Sequence, residues 1–375
     1  MHYLDNAATT QVLPEAAEAA VRAMCEAFGN PSSLHKMGVE ASHLLEDSRR
    51  AVAAALGCLP EETYFTSCGT ESTNISLRGA AHLGRHKKGR IITTAIEHAA
   101  TMNTCKQLAA EGFDVVFLAP DETGHITPAA LEQALTADTI LLTCQLVNNE
   151  IGTVQPVAEF GAMLRAKAPR ALFHIDAVQG LARVKLTPKK WNCDLMSVSG
   201  HKIGAPKGIG ALYVKKGLRL PPLMFGGGQE KGIRPGTEPL PNIAAFAKAC
   251  EIRMARFDED YAHVTALAAY LKEQAAAQLP DAALNGAGDI PHVVNLSIPG
   301  CKSEVMLRVL EGDEVYVSSG SACSKGRQSG VLTALGLPKA RTDSAIRVSF
   351  APSNTREDVD AFIAGALKGI KMLRR

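Results

Sequence analysis

The sequence predicts an α/β protein built on a mostly parallel sheet with helices on both faces. Between Tyr64 and Tyr213, short apolar runs alternate with amphipathic helical stretches, the rhythm of repeated strand and helix units. Hydrophobic residues make up 46% of the chain and aromatics only 5%, an Ala-, Gly-, Leu- and Val-rich mixture that suits helices packed on a sheet better than a β-sandwich. A length of 375 residues allows one large domain with an ample core and a smaller domain beside it.

The elements follow in order. After an opening stretch Tyr3-Leu-Asp-Asn-Ala-Ala-Thr-Thr10, the chain from Pro14 to Phe28 is Ala-rich and helical, with Pro at its start and Gly29 beyond its end. A turn-rich loop from Gly29 to His35 leads to a second amphipathic helix over 36–56, closed by Gly57. Strands are then expected at 64–66, 90–94, 113–118, 139–147 and 172–175, separated by helices at 71–83, 99–111, 128–135 and 157–168. The apolar run from Asp194 ends in Ser199-Gly-His-Lys202, and a Gly/Pro-punctuated turn leads to another apolar run ending at Tyr213. Pro221 to Thr237 is too rich in Gly and Pro for regular structure, and a loop that long in a compact protein usually has a job. One long helix is expected from about Pro241 to Leu279, with Pro280 marking a change of domain. Beyond it, strands at 292–298, 315–318 and 345–350 and helices at 303–310, 330–335 and 355–373 suggest a small α+β unit.

Forty Lys and Arg against 38 Asp and Glu leave a net charge of +2, which gives no electrostatic case for nucleic acid or a membrane as partner. The start of the chain has no basic region followed by an apolar run, and no segment has the apolar length of a membrane span, so a cytoplasmic protein is expected. The nine cysteines contain no C-x-x-C pair, which argues against a zinc site and a disulfide framework.

Several residues stand out chemically, each with a plainer alternative. Lys202 is delivered at the end of an apolar strand, where its ammonium needs a partner or a covalent fate. A Schiff base with pyridoxal phosphate is one fate, and a solvated surface turn is the other. Thr66-Ser-Cys-Gly-Thr70-Glu71 lies where a strand turns into a helix, forming an anion cradle or an ordinary N-cap. His98 sits at a strand end, able to stack on a planar ring or simply to be hydrogen-bonded. Asn149, in Val147-Asn-Asn-Glu-Ile-Gly152, can hold a ligand oxygen or serve a turn. Asp176 closes an apolar strand, beside a pyridine nitrogen or as a helix cap. Cys323 occupies a small, polar, Gly-rich segment where Lys325 and Arg327 favour a thiolate. Arg347 stands inside an apolar strand, suited to a bidentate grip on a carboxylate or to a structural ion pair. Their co-occurrence in one chain, four of them at strand ends, makes accident a poor explanation.

Taken together and in order, these motifs resemble the cysteine desulfurases of the NifS/IscS type, in the class V aminotransferase group of fold-type I pyridoxal phosphate enzymes. The motifs are Tyr3-Leu-Asp-Asn-Ala-Ala-Thr-Thr, Gly29-Asn-Pro-Ser-Ser, Thr66-Ser-Cys-Gly-Thr-Glu-Ser, Glu97-His, Asn148-Asn-Glu-Ile-Gly, Ser199-Gly-His-Lys, Arg234-Pro-Gly-Thr, Ser318-Ser-Gly-Ser-Ala-Cys and Ile346-Arg-Val-Ser. The resemblance implies a large cofactor-binding domain over 14–255 with a mostly parallel seven-stranded sheet. It also implies a small domain from 1–13 and 256–375 that carries the Cys323 loop, and a homodimer with the active site at the subunit interface. Lys202 would carry the cofactor and shuttle protons, His98 would stack on its ring, Asp176 would pair with the ring nitrogen, and Gln179 and Asn149 would lie beside the ring. Gly69, Thr70, Ser199 and His201 would hold the phosphate, joined by Thr237 from the partner subunit. Arg347 would hold the carboxylate of L-cysteine, and Cys323 would take its sulfur as a persulfide for an acceptor protein of iron–sulfur assembly or tRNA thiolation. A selenocysteine lyase or another class V lyase shares the cofactor site and is the alternative. Cys68 stands where the family usually has glycine, Ser324-Lys-Gly-Arg is more basic than the usual run, and the sequence ends at Arg375 without the longer tail that IscS-type members turn toward a scaffold.

Overall fold

The computed structural model describes residues 1–84, 89–279, 281–320 and 329–374. Twelve strands form among these residues: β1 (His2–Tyr3), β2 (Thr63–Thr66), β3 (Arg90–Thr94), β4 (Asp114–Leu118), β5 (Thr139–Gln145), β6 (Leu172–Asp176), β7 (Leu195–Ser199), β8 (Gly210–Val214), β9 (Ala283–Leu284), β10 (Val293–Ser297), β11 (Val315–Tyr316) and β12 (Ala345–Ser349). Seven of them make one sheet in the order β2-β8-β7-β6-β5-β3-β4. Within it β4, β3, β5, β6 and β7 run parallel, while β8 pairs antiparallel with both β7 and β2. Parallel strands are covered on both faces, so they read as nearly unbroken apolar runs, and every residue of β7 and β8 is buried. The mostly parallel seven-stranded sheet of the expected α/β fold is therefore present.

The carboxyl ends of the parallel strands set the position of the site. Gln145, Asp176 and Ser199 are the last residues of β5, β6 and β7, and Gln145 is the register partner of Asp176. Ligands of open α/β sheets bind in the crevice outside this edge. The antiparallel set β12-β10-β9 forms a second sheet, and β1 pairs in parallel with β11. One large buried cluster surrounds the main sheet, and a separate one contains Leu4 with residues between Val264 and Ala366.

Two expectations need correction. The single helix from Pro241 to Leu279 is two, Leu240–Ala255 and Phe257–Gln278, separated at Arg256 with φ −108° and ψ 13°. Asp258, Glu259 and Asp260 supply the negative charge that favours a fresh helix start, and the Arg256 guanidinium bonds Glu259. The strand expected over 139–147 stops at Gln145, because Asn148 Oδ1 accepts the Glu150 and Ile151 amides at 2.9 and 3.1 Å and turns the chain.

The Gly/Pro-rich loop is fastened by a buried ion pair. Arg49 donates to both carboxylate oxygens of Glu230 at 2.8 Å each, and the same carboxylate accepts the Phe65 amide at 2.8 Å. This holds Glu230 and Lys231 in the left-handed region at φ 46° and 53°. Glu230→Ala leaves the buried Arg49 guanidinium with only the half-exposed Glu46 carboxylate at 3.4 Å and the Thr63 carbonyl at 2.9 Å, and should cost about 3 kcal/mol in denaturant unfolding. Arg49→Met combined with Glu230→Met should recover most of that loss.

Candidate active site

β7 ends at Ser199, and one 3₁₀ turn, Gly200–Lys202, brings Lys202 over the sheet edge. A side chain at Gly200 would meet Ala205, Ile209 and Phe246 at 3.0 Å, so this turn packs only with glycine there. The Lys202 ammonium donates to the Ala7 and Ala8 carbonyls at 2.9 and 2.7 Å. Burial pushes its pKa down to about 7, helped by the Arg183 and Arg347 cations against the opposing Asp5 and Asp176. At neutral pH a large share of this amine is therefore uncharged and nucleophilic.

Lys202 opens on a cavity of about 290 Å³ lined also by Gly69, Thr70, His98, Asn149, Asp176, Gln179, Ser199, His201 and Arg347. Ten of the twelve residues singled out in the sequence thus meet in one place. Cys323 lies outside the described residues, and Thr237 is exposed and does not line this cavity.

One part of the cavity is built for an anion. Ser199 Oγ is buried with no partner among the described residues, and the helix Gly69–Gly84 starts beside it. A Cβ on Gly69 would come 2.6 Å from Val178 Cγ2 and 3.6 Å from Ser199 Cβ, so glycine keeps this cradle open. His201 shares a 3.1 Å hydrogen bond with Thr9 Oγ1, and burial pushes its pKa down to about 4, leaving a neutral ring. Deeper in the sheet, the Asp176 carboxylate accepts the Val178 amide at 3.0 Å, and burial raises its pKa, opposed by His98, that amide and Lys202. A buried carboxylate in that state calls for a cationic N–H donor. A molecule bearing an anionic end, a protonatable ring nitrogen and an aldehyde carbon fits this donor set, as pyridoxal phosphate does.

The remaining groups are held from several elements. His98 caps the helix Ala99–Ala110, where its Nδ1 accepts the Ala100 amide at 3.2 Å, which assigns the neutral-ring proton to Nε2. Asn149 Oδ1 accepts the side-chain Nε2 of Gln145 at 3.1 Å. Gln179 Nε2 donates to Ala7 O at 2.8 Å. Arg347 is 1% exposed and donates to Asp5 Oδ1 at 2.7 Å and to Asn149 O at 2.8 Å, while its Nε has no partner among the described residues. The backbone of Ser318 pairs with Arg347, and Ser329 donates to Glu150, so both flanks of the segment holding Cys323 are anchored next to this site.

Sequence reasoning missed Asp5, Ala7, Ala8, Gln145 and Arg183. Asp5, Ala7 and Ala8 belong to the opening motif, which carried the resemblance without a role for any residue. It also gave no task to Glu97, whose carboxyl is pushed up to about 8 by burial and accepts Thr94 Oγ1 and the Gln145 amide at 2.7 and 3.0 Å.

Residues 2–362 match the family described as aminotransferase class-V. The chain is 40% identical to a cysteine desulfurase IscS of Methanosarcina thermophila, over 99% of this chain and 92% of that relative. A solved NifS-like protein superposes with a TM-score of 0.93 at 35% identity, covering 99% of each chain. The structure described as SspA in complex with cysteine gives a TM-score of 0.81 at 32% identity, covering 95% of this chain and all of that one. With the lysine, the carboxylate and the anion cradle converging on one cavity, the chain belongs to the class V aminotransferase family, among the cysteine desulfurases of the NifS/IscS type.

Proposed function

We propose that the protein is a pyridoxal phosphate-dependent cysteine desulfurase. It converts L-cysteine to L-alanine and carries the sulfur as a persulfide on Cys323 to an acceptor protein of iron–sulfur assembly or tRNA thiolation. The observation that carries this reading is the convergence of Lys202, Asp176, Ser199 and Arg347 on one cavity. Gly69, Thr70, Ser199 and His201 would hold the phosphate, Asp176 the ring nitrogen, and His98, Asn149 and Gln179 the ring. When bound, the cofactor supplies an electron sink that labilises the α-proton and the Cβ–S bond of the substrate.

The chain's own residues do the rest. Arg347 orients the substrate through its carboxylate, and the Lys202 amine carries the α-proton. The Cys323 thiolate attacks the substrate sulfur, forming the S–S bond as the Cβ–S bond breaks, and protonation of the carbon fragment gives alanine. Support for a homodimer in which Thr237 serves the partner's phosphate comes from the exposed Thr237 and the apolar Leu223, Met224 and Phe225 on the same loop, Phe225 being 91% exposed. The smaller buried cluster, Leu4 with residues between Val264 and Ala366, supports a division into 14–255 and 1–13 with 256–375, and the larger cluster reaches across it at Ala7, Ile290 and Val293. All eight described cysteines are free, and no described helix is long and apolar enough to cross a membrane, which suits the cytoplasm.

The test is incubation of the purified chain with L-cysteine, measuring alanine and the mass of the peptide carrying Cys323. Alanine together with one added sulfur on that peptide is expected. No alanine sinks the proposal, and alanine from selenocysteine alone, with no added sulfur, points to the lyase.

A further inference from the structure

Arg183 is a buried cation that the proposed chemistry leaves unused. It is 5% exposed and forms no ion pair among the described residues. Burial pushes its pKa down to about 10, reinforced by the Arg347 and Arg253 cations. Such a guanidinium is costly to keep, which asks for a purpose. The backbone presenting it is also strained, because the preceding Ala182 has φ 57°, in the left-handed region.

Its hydrogen bonds show where it acts. Arg183 Nη1 donates to Gln179 Oε1, and a guanidinium has donors only, so the Gln179 amide must turn its oxygen toward Arg183. Gln179 Nε2 is then directed to the Ala7 carbonyl at 2.8 Å, the same oxygen that accepts the Lys202 amine at 2.9 Å. We infer that Arg183 is a positioning residue for Lys202, fixing the amide that orders the Ala7 carbonyl and placing a positive charge that favours proton loss from the amine. This rests on Lys202 being the reactive amine.

The groups that face the amine are the cations Arg183 and Arg347, the acids Asp5 and Asp176, and His201 beside it in sequence. Neither acid offsets Arg183 directly. Asp5 is engaged by Arg347 at 2.7 Å, and Asp176 takes its hydrogen bond from the Val178 amide. Among the charges acting on Lys202, Arg183 opposes its protonation most strongly.

The test is reductive methylation of the cofactor-stripped full-length chain with formaldehyde and cyanoborohydride across pH, read by peptide mass spectrometry at Lys202 and at exposed lysines as internal controls. Wild-type Lys202 should react with a midpoint of about 7. Arg183→Met and Arg183→Gln should each raise that midpoint by about one unit, the scale of one nearby like charge, with the control lysines unmoved. Arg183→Lys, which keeps the charge, should leave it in place. A midpoint unmoved in both neutral variants, or raised as far in Arg183→Lys, overturns the inference, and circular dichroism melts establish that each variant is folded. A separate arm adds pyridoxal phosphate to the wild type and traps it with borohydride. If nothing is trapped on Lys202, the functional reading of the site fails, whatever the midpoints show.

Discussion

Lys202→Ala should lower alanine formation from cysteine by roughly 10³-fold or more, since a positioned general acid–base group alone contributes about 10²–10⁴-fold. The loss should be large because one nitrogen serves two purposes. Among the described residues its amine is the only lysine nitrogen lining the cavity, and it is held over the sheet edge by two backbone carbonyls rather than by a carboxylate that would keep it charged. On the proposed mechanism, removing it would take away both the covalent tether for the cofactor and the proton carrier, so borohydride should no longer fix pyridoxal phosphate to the chain. The pH dependence has a definite sign. Burial and the two arginines bring the pKa to about 7, so the reactive neutral form grows as pH rises through that value. The amine-limited rate of the wild type should climb on the acid side and level off above it, and the variant should lack that limb. Methylamine in the assay should restore a fraction of the activity by replacing the proton carrier. Turnover within tenfold of wild type would mean that the nitrogen has no chemical part.

The large sheet was legible because its parallel strands are buried on both faces. Runs such as Leu172–Asp176 and Leu195–Ser199 announce themselves without alternation. The helix break at Arg256 was not legible, since the sequence on both sides keeps a helical pattern and no Gly or Pro marks the junction. Two-residue strands such as His2–Tyr3 carry no periodicity at all, and their pairing with Val315–Tyr316 is a tertiary fact. The site divides the same way. Lys202, Asp176 and Ser199 were visible because each is a polar residue closing an apolar run. The Ala7 and Ala8 carbonyls were not, because a backbone oxygen has no residue signature and these two lie 195 and 194 positions from the lysine they hold. Asp5 reaches Arg347 across 342 positions. Gln179 was visible as a candidate, but its amide orientation depends on Arg183 four residues later, and only the fold shows that contact.

Arg347→Ala should raise KM for cysteine by about 10²–10³-fold, the equivalent of roughly 3–4 kcal/mol at 1.4 kcal/mol per tenfold. The guanidinium is fixed on two sides, by Asp5 at Nη2 and by the Asn149 carbonyl at Nη1, which leaves Nε as a buried donor without a partner among the described residues. An unpaired buried donor costs about 1–3 kcal/mol, and under the proposed function a substrate carboxylate would supply the missing acceptor as a charge-assisted bond. Asp5 bears on the result because burial raises its pKa against the pull of Arg347, so deleting the arginine favours the protonated acid and limits repulsion toward the substrate. The effect should therefore fall on KM, with kcat reduced far less, because Lys202 and Asp176 keep their own partners. Arg347→Lys should recover little, since a single ammonium cannot bond Asp5, Asn149 and a carboxylate in the plane of a guanidinium. Asp5→Asn gives the contrast, since it keeps an acceptor for Nη2 and removes only the neighbouring charge, so KM should change by less than about tenfold. If Arg347→Ala binds cysteine as tightly as wild type, the carboxylate is held elsewhere and Arg347 serves only to pin the opening segment through Asp5.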